Sequence, residues 1–321
     1  MDSEKKTFIF ELAEEIRLDT ALKRQFPASS RTYLQMLIDQ NCVLVNGKSV
    51  KKRTRVRQGD CVEMTWLKPP LPSLEPEELP LDILFEDRDL LCVNKPAGMV
   101  VHPAPGHEKH TFVNALLHHV TTLPRVEGDL RPGIVHRLDK ETSGVLIAAK
   151  NSVAQRRLVE LFSQRHVAKD YLAICLGSPG ETTVETLIGR DQKHRQKMGV
   201  VEQRGKQAVT EVSTLVTGHQ ASLVRAHPIT GRTHQIRVHL RHLGCPILGD
   251  NVYGAAKLNQ KWHVPRHMLH AHRLVLPHPI SGRSLEIEAP LAEDFSSYLD
   301  HFFDSAALSH AMDRVSSKRG R

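Results

Sequence analysis

The sequence predicts an α+β fold built from two modules. At 321 residues the chain is about twice the length of an average domain and can bury a substantial core. Prolines 69, 70, 72, 76 and 80, with Glu75, Glu77, Glu78 and Asp82, interrupt the chain between Trp66 and Asp82. Repeated proline removes backbone donors and favours extended chain, so residues 69–82 read as a linker. On both sides of it, short apolar patterns at helical spacing alternate with β-branched runs. The expected division is a small module over 13–68, a larger one over 83–304 and a basic, disordered tail over 305–321.

In the first module, Leu18, Leu22 and Phe26 recur at helical spacing, and the stretch from Pro27 to Ser30 ends the pattern. Ser29 or Ser30 then caps a second helix whose apolar face is Tyr33, Leu34, Leu37 and Ile38. A hairpin follows, because Val43-Leu44-Val45 runs into Asn46-Gly47, the pair best suited to the positive φ angles of a tight turn. Gln58-Gly59-Asp60 marks a further turn before an apolar run from Cys61 to Thr65. Lys48, Lys51, Lys52, Arg53, Arg55 and Arg57 lie between these turns with no acid among them, a solvated face or a contact for a polyanion.

Beyond the linker, Ile83 to Val93 reads as strand, turn and strand, and Thr111 to His118 as a short helix. Ile134 and Val135 begin a β-branched run, Lys140 to Gly144 has loop composition, and Val145 to Ala149 is apolar enough for a buried strand. Asp139 therefore stands where a strand meets a loop, beside His136 and Arg137. From composition alone it could be simply a turn former. Asn151 or Ser152 caps a helix with Ala154, Leu158, Leu161 and Phe162 on one face, which stops near His166, and Lys169 to Ala173 opens another strand. Arg190 to Lys206 carries six Lys or Arg against Asp191 and Glu202 and reads as a basic loop or hairpin. Val209 to Val216 and Ala221 to His227 are paired strands. A helix over Thr233 to His242 would bury Ile236, Leu240 and Leu243 and place His234, Arg237 and Arg241 on a separate face.

Lys and Arg number 44 against 36 Asp and Glu, a net +8 that favours a polyanionic partner. The five cysteines are widely spaced and odd in number, which fits reduced thiols better than a disulfide framework. Histidines 102, 107, 110, 118 and 119 have no acidic or cysteine partner at a ligand spacing, so no metal is expected. With no secretory h-region and no long apolar run, the chain is expected to be cytoplasmic, soluble and monomeric.

His136-Arg137-Leu138-Asp139 and Thr142-Ser143-Gly144 specify seven of nine consecutive positions, and this window resembles the signature of the RluA-type pseudouridine synthases. Asn94 to Gly98 with Val101-His102-Pro103, Ile229 to Leu240, Gly249 to Gly254, Leu269 to Leu274 and His278 to Gly282 extend the likeness. The order helix, helix, Val-Asn-Gly hairpin and Gly-Asp turn, with Arg17-Leu18-Asp19 and Ser30-Arg31, is similar to an S4-type RNA-binding domain. Asn41 stands where that domain usually has glycine, and Asn251 and His227-Pro228 also depart from the synthase pattern.

The resemblance implies a synthase domain with a mostly antiparallel curved sheet and a central catalytic cleft, converting uridine in RNA to pseudouridine without a cofactor. It implies Asp139 as the catalytic carboxylate, Arg237 as its charge partner, Tyr171 in the active site and Arg137 at the position that fills the vacated base stack. Arg232, His234 and Arg241, with Arg31, Lys48, Lys51, Lys52 and Arg53 of the small module, are the expected RNA contacts. Whether Asp139 attacks C1′, adds to C6 or acts as a base is open, since all three use the same residue. Large-subunit ribosomal RNA, free or in a pre-ribosomal particle, is the expected partner. The alternatives are a synthase acting on transfer RNA and an RNA-binding assembly factor without important chemistry.

Overall fold

A computed structural model of the chain describes residues 4–27, 29, 31–67, 74–104, 106–121, 123, 131–191 and 197–317. It forms two compact units, the first Met1–Glu75 with Pro124–Pro132 and the second Pro76–Leu123 with Gly133–Arg321.

The first unit runs β1 (Glu4–Ile9), β2 (Ile16–Arg17), α1 (Leu18–Gln25), α2 (Arg31–Asp39), β3 (Val43–Val45), β4 (Lys48–Ser49), β5 (Arg55–Val56) and β6 (Cys61–Trp66). β1, β6, β3 and β4 lie side by side in one antiparallel sheet. Leu18 and Leu22 of α1 and Leu34, Leu37 and Ile38 of α2 pack with Val43, Val62 and Met64 into its core. Asn46 and Gly47 adopt φ 51° and 73°, as the hairpin requires. Asn41 has φ 57°, so the asparagine takes the left-handed conformation that glycine would take most cheaply.

The module begins earlier than its expected start at residue 13, because β1 pairs with β6 from Glu4 opposite Trp66 to Ile9 opposite Cys61. β1 is an outer strand with Lys5, Lys6 and Thr7 exposed. Lysines on an edge strand discourage pairing with other chains and also leave little apolar alternation to read.

The second unit continues with β7 (Ile83–Glu86), β8 (Leu90–Lys95), α3 (Phe112–His119), β9 (Ser143–Ala149), α4 (Ser152–Ser163), β10 (Ala168–Leu176), β11 (Glu181–Arg190) and β12 (Met198–Val200). It ends with β13 (Lys206–Thr217), β14 (Ala221–Pro228), α5 (Gln235–His242), α6 (Ala256–Lys261), β15 (Leu269–Pro277), β16 (Ser284–Glu288), α7 (Glu293–Phe302) and α8 (Ser305–Ser317). Its strands form one sheet in the order β12-β11-β13-β14-β10-β15-β9-β8-β7, with β16 also paired to β15. All of its pairings are antiparallel except β9 with β15.

β9 is buried at every residue: Val145–Ala149 are apolar, and Ser143 pairs with His270 Nδ1 at 2.9 Å. Where it meets β15, Gly144 has φ 110°, and a Cβ there would collide with the Ala271 carbonyl. The glycine of the Thr-Ser-Gly triplet is thus the residue that lets these two central strands touch.

Two segments differ from expectation. The second half of the expected linker belongs to the larger unit: the Glu77 amide donates to the Asn114 carbonyl, and the Glu77 carboxylate accepts from the His110 amide. The expected disordered tail is helical over Ser305–Ser317, with Ala311 and Val315 in the same core cluster as Phe295 and Leu299. The small apolar stripe of this helix gains stability only from that tertiary contact. Its basic end, residues 318–321, lies outside the described residues, as does Ser30. No helix among the described residues is long and apolar enough to cross a membrane. All five cysteines are free, and Cys92, Cys175 and Cys245 are buried.

Candidate active site

The segment leading to Asp139 is not the strand its β-branched start suggests. A single bridge, between Ile134 and Ala148, joins its start to β9 in strand fashion. Further along, the Ile147 amide donates to His136 Nε2 at 3.0 Å, so an imidazole replaces the carbonyl that a neighbouring strand would offer. The ring stacks on Phe162 with centroids 4.8 Å apart. Burial, with the Lys169 charge nearby, pushes His136 down to about 3, so it serves as a neutral structural acceptor.

On the other side of Asp139, Lys95 at the end of β8 points its ammonium at the carbonyls of Pro96, Met99 and Lys140 at 2.7, 3.0 and 3.1 Å. Burial lowers Lys95 to about 7, opposed by the charge of Glu141. The Thr142 amide donates to the Asp139 carbonyl at 3.1 Å. The carboxylate therefore sits on a loop fixed at both ends.

Asp139 faces α5. Arg237 NH1 donates to Asp139 Oδ2 at 2.9 Å, and His234 Nε2 lies 3.8 Å from Oδ1. The guanidinium is itself held by Asp250, with Nε to Oδ2 at 2.7 Å and NH2 to Oδ1 at 3.0 Å. Asp250 Oδ1 also accepts the amides of Val252 and Tyr253, both at 2.9 Å. The Tyr253 ring packs 5.1 Å from the guanidinium, and its hydroxyl pairs with His234 Nδ1 at 2.9 Å. His234 is at φ 57°, so α5 begins at Gln235 instead of Thr233. The left-handed residue turns its imidazole toward the carboxylate before the helix starts.

The electrostatics follow from this geometry. Burial alone would raise Asp139, but the charges of His234 and Arg237 and the Arg237 hydrogen bond outweigh it, so the carboxyl lies below its ordinary value. His234 is itself lowered by burial, with Arg237 adding to the effect, so the permanent charge facing Asp139 at neutral pH is Arg237. Burial opposes the charge on Arg237, but Asp250 and Asp139 raise its pKa above its ordinary value. The Tyr171 hydroxyl is pushed well above its ordinary value by burial and by the Asp139 charge, so it stays protonated.

Of the expected contacts, Arg137, Asp139, Tyr171, Arg232, His234 and Arg237 line one cavity of about 470 Å³. This volume is within the range of small-molecule sites and admits a nucleoside. Arg232 is partly committed, since its Nε donates to the Gln207 carbonyl at 2.9 Å. Arg241 is exposed on α5 and does not line the cavity. In the first unit, Lys48, Lys51 and Arg53 are exposed, and Lys52 lies 3.3 Å from Asp39. Arg31 is engaged within the module: with Arg17 and Gln35 it donates to the buried carboxylate of Asp19.

Comparison with known proteins places this arrangement. Residues 89–242 match the family model for RNA pseudouridylate synthase, and residues 16–62 match the S4 domain. An uncharacterized RNA pseudouridine synthase of Chloroflexus aurantiacus is 46% identical over 293 residues, covering 91% of each chain. The chain belongs to the RNA pseudouridine synthases. A relative from Zymomonas mobilis named ribosomal large subunit pseudouridine synthase D is 41% identical over 297 residues, 88% of this chain and 93% of that one. Among solved structures, human RNA pseudouridylate synthase domain containing 1 superposes with a TM-score of 0.58 at 27% identity, covering 78% of this chain and 98% of that one.

Asp250 and Tyr253 lie in the Gly249 to Gly254 segment, and Lys95 and Thr142 in theirs, with no local sequence signal for the tasks that the structure gives them. Asp250 and Arg237 are 13 positions apart on different elements, so no local pattern announces the pair. The described residues also bring Asp87, Asp89 and His278 within 4.8 Å of one another. His278 Nδ1 accepts the amides of Ile280 and Ser281, Nε2 pairs with Asp87, and Asp89 accepts from Asn151. These bonds tie two turns together and occupy the groups that would bind an ion.

Proposed function

We propose that the cavity receives a single uridine extruded from large-subunit ribosomal RNA, as free RNA or within a pre-ribosomal particle, and that Asp139 is the carboxylate that drives its isomerisation. The observation that carries this reading is the Asp250–Arg237–Asp139 chain at the wall of a cavity where Asp139 is the sole carboxylate among several Arg and Lys residues. Pseudouridine formation breaks the N1–C1′ bond, joins C5 to C1′, and moves a proton from C5 to N1. It needs an ionised carboxylate at the ring or sugar, and a pocket that keeps the detached uracil in place. Arg237 keeps Asp139 ionised and fixes its direction. Two bonds from Asp250 leave the guanidinium little freedom.

Extraction of the base costs a few kcal/mol of lost stacking and pairing. The Tyr171 ring, on the cavity wall, returns roughly 1 to 3 kcal/mol by stacking on the uracil. Arg137, on the cavity wall two residues before Asp139, fills the gap left in the RNA on this reading. The ribosomal substrate is supported by the relatives named as large-subunit enzymes and by the S4 domain.

The test is to incubate the protein with unmodified large-subunit ribosomal RNA and to map pseudouridines by carbodiimide-dependent reverse-transcription stops, with Asp139→Asn in parallel. New stops made only by the intact protein are expected. Stops on transfer RNA alone would transfer the reading to that substrate.

A further inference from the structure

A second cavity of about 390 Å³ adjoins the first. The two share Arg165, Pro228 and Ile229. The second is also lined by Val275, Leu276 and Pro277, with the rings of His166 and His227. His227 is held by Asp170, its Nδ1 3.0 Å from the carboxylate, and Arg273 braces the same aspartate at 3.2 Å. Its position in the wall is therefore fixed. A slot of this size, half apolar and edged by imidazoles, suits a nucleobase.

Arg165 stands between the two cavities in an unusual conformation. α4 ends with the His166 amide bonded back to the Leu161 carbonyl, and Arg165 occupies the left-handed position at φ 63°. Glycine is the common residue there, and an arginine costs about 1 kcal/mol in backbone strain. No hydrogen bond or ion pair of its side chain is found among the described residues, and the same holds for Lys169, which lines the first cavity nearby. Burial lowers the Lys169 ammonium from its ordinary value, so an anion placed beside it would stabilise its charged form. Two cations without partners thus flank the passage from one cavity to the next, with Asp139 the sole carboxylate among the residues lining either.

Resting on the assignment of the first cavity to the target uridine, we propose that the second cavity is the subsite for the base of an adjoining nucleotide, with Arg165 binding the phosphodiester that joins the two. The strand then crosses Arg165 with one base on each side. His227 and Pro228 form part of the wall that this neighbour meets. The subsite makes turnover depend on a nucleotide that undergoes no chemistry.

The experiment uses the full chain and a stem-loop RNA containing a mapped target uridine, with the nucleotide on its 5′ or its 3′ side replaced by an abasic residue. Loss of one neighbouring base, but not the other, is expected to lower kcat/KM at least tenfold. Ala168→Phe, which fills the second cavity, should make the intact and the sensitive abasic RNA equivalent. Arg165→Asn keeps a residue that tolerates the left-handed backbone, and should lower the log-log salt slope of binding by about 0.7. Wild-type indifference to both abasic sites would overturn the proposal, as would an Ala168→Phe protein that still discriminates between the RNAs or an Arg165→Asn protein with an unchanged salt slope. Product yield from Asp139→Asn on the intact stem-loop reports separately on the first cavity.

Discussion

Asp250 grips Arg237 through two nitrogens and leaves a third for Asp139, so the direction of the Asp139 carboxylate is set by a second, buried carboxylate. Asp250→Asn keeps the shape and loses the charge. A charge-assisted hydrogen bond contributes about 1.5 to 3 kcal/mol, so kcat should fall roughly 10- to 100-fold with RNA affinity nearly unchanged. Single-turnover rates against binding isotherms check this, and an equal loss of affinity would assign Asp250 to RNA binding.

The pH profile follows from the downward shift of Asp139. A carboxyl whose pKa is depressed in the folded protein stays ionised at every pH above its ordinary value and protonates only below it. Asp139 should therefore impose no acid limb on turnover above about pH 5. In Arg237→Gln the acid limb of the residual activity should move to higher pH, toward the burial-raised value. An acid limb unmoved by this substitution would remove Arg237 as the charge partner.

Tyr171 remains protonated across the working range, so its ring and its hydroxyl can be tested separately. Tyr171→Phe should bind RNA within a few fold of the parent. Tyr171→Ala should lose roughly 1 to 3 kcal/mol of binding. Fluorescence anisotropy measures both, and kcat of the Phe protein isolates the hydroxyl.

In the small module, Asp19 is buried under Arg17, Arg31 and Gln35. Burial opposes ionisation, but these three donors hold the carboxyl near 2. Its contribution to stability is complete above about pH 4 and is lost as pH falls toward 2. Asp19→Asn should destabilise the module by about 1 to 3 kcal/mol at neutral pH, measured by urea unfolding. Neutralising Lys51, Lys52 and Arg53 together should instead leave stability alone and flatten the log-log salt dependence of RNA binding by about 2.

Much of this fold is legible in the sequence because its elements carry strong patterns: α2 shows its face through Leu34, Leu37 and Ile38, and β9 shows itself through the apolar run Val145–Ala149. β1 is hidden because an edge strand that opens Glu-Lys-Lys-Thr has its pairing partners 52 to 62 positions away. α8 is hidden because its helix is stabilised by a core it joins last. In the site, Asp139, Arg237 and Tyr171 are legible through a family pattern, whereas the clamp from Asp250, the ring of His136 standing in for a strand and the carbonyl cage of Lys95 are tertiary relationships. Periodicity carries no information about them.

The most direct test of the account is a single-turnover assay of Asp139→Asn beside the intact protein on one RNA, with binding measured in the same buffer. The account predicts no pseudouridine from the variant and an RNA affinity within a few fold of the parent. Substantial product from Asp139→Asn would contradict it and place the chemistry on another residue.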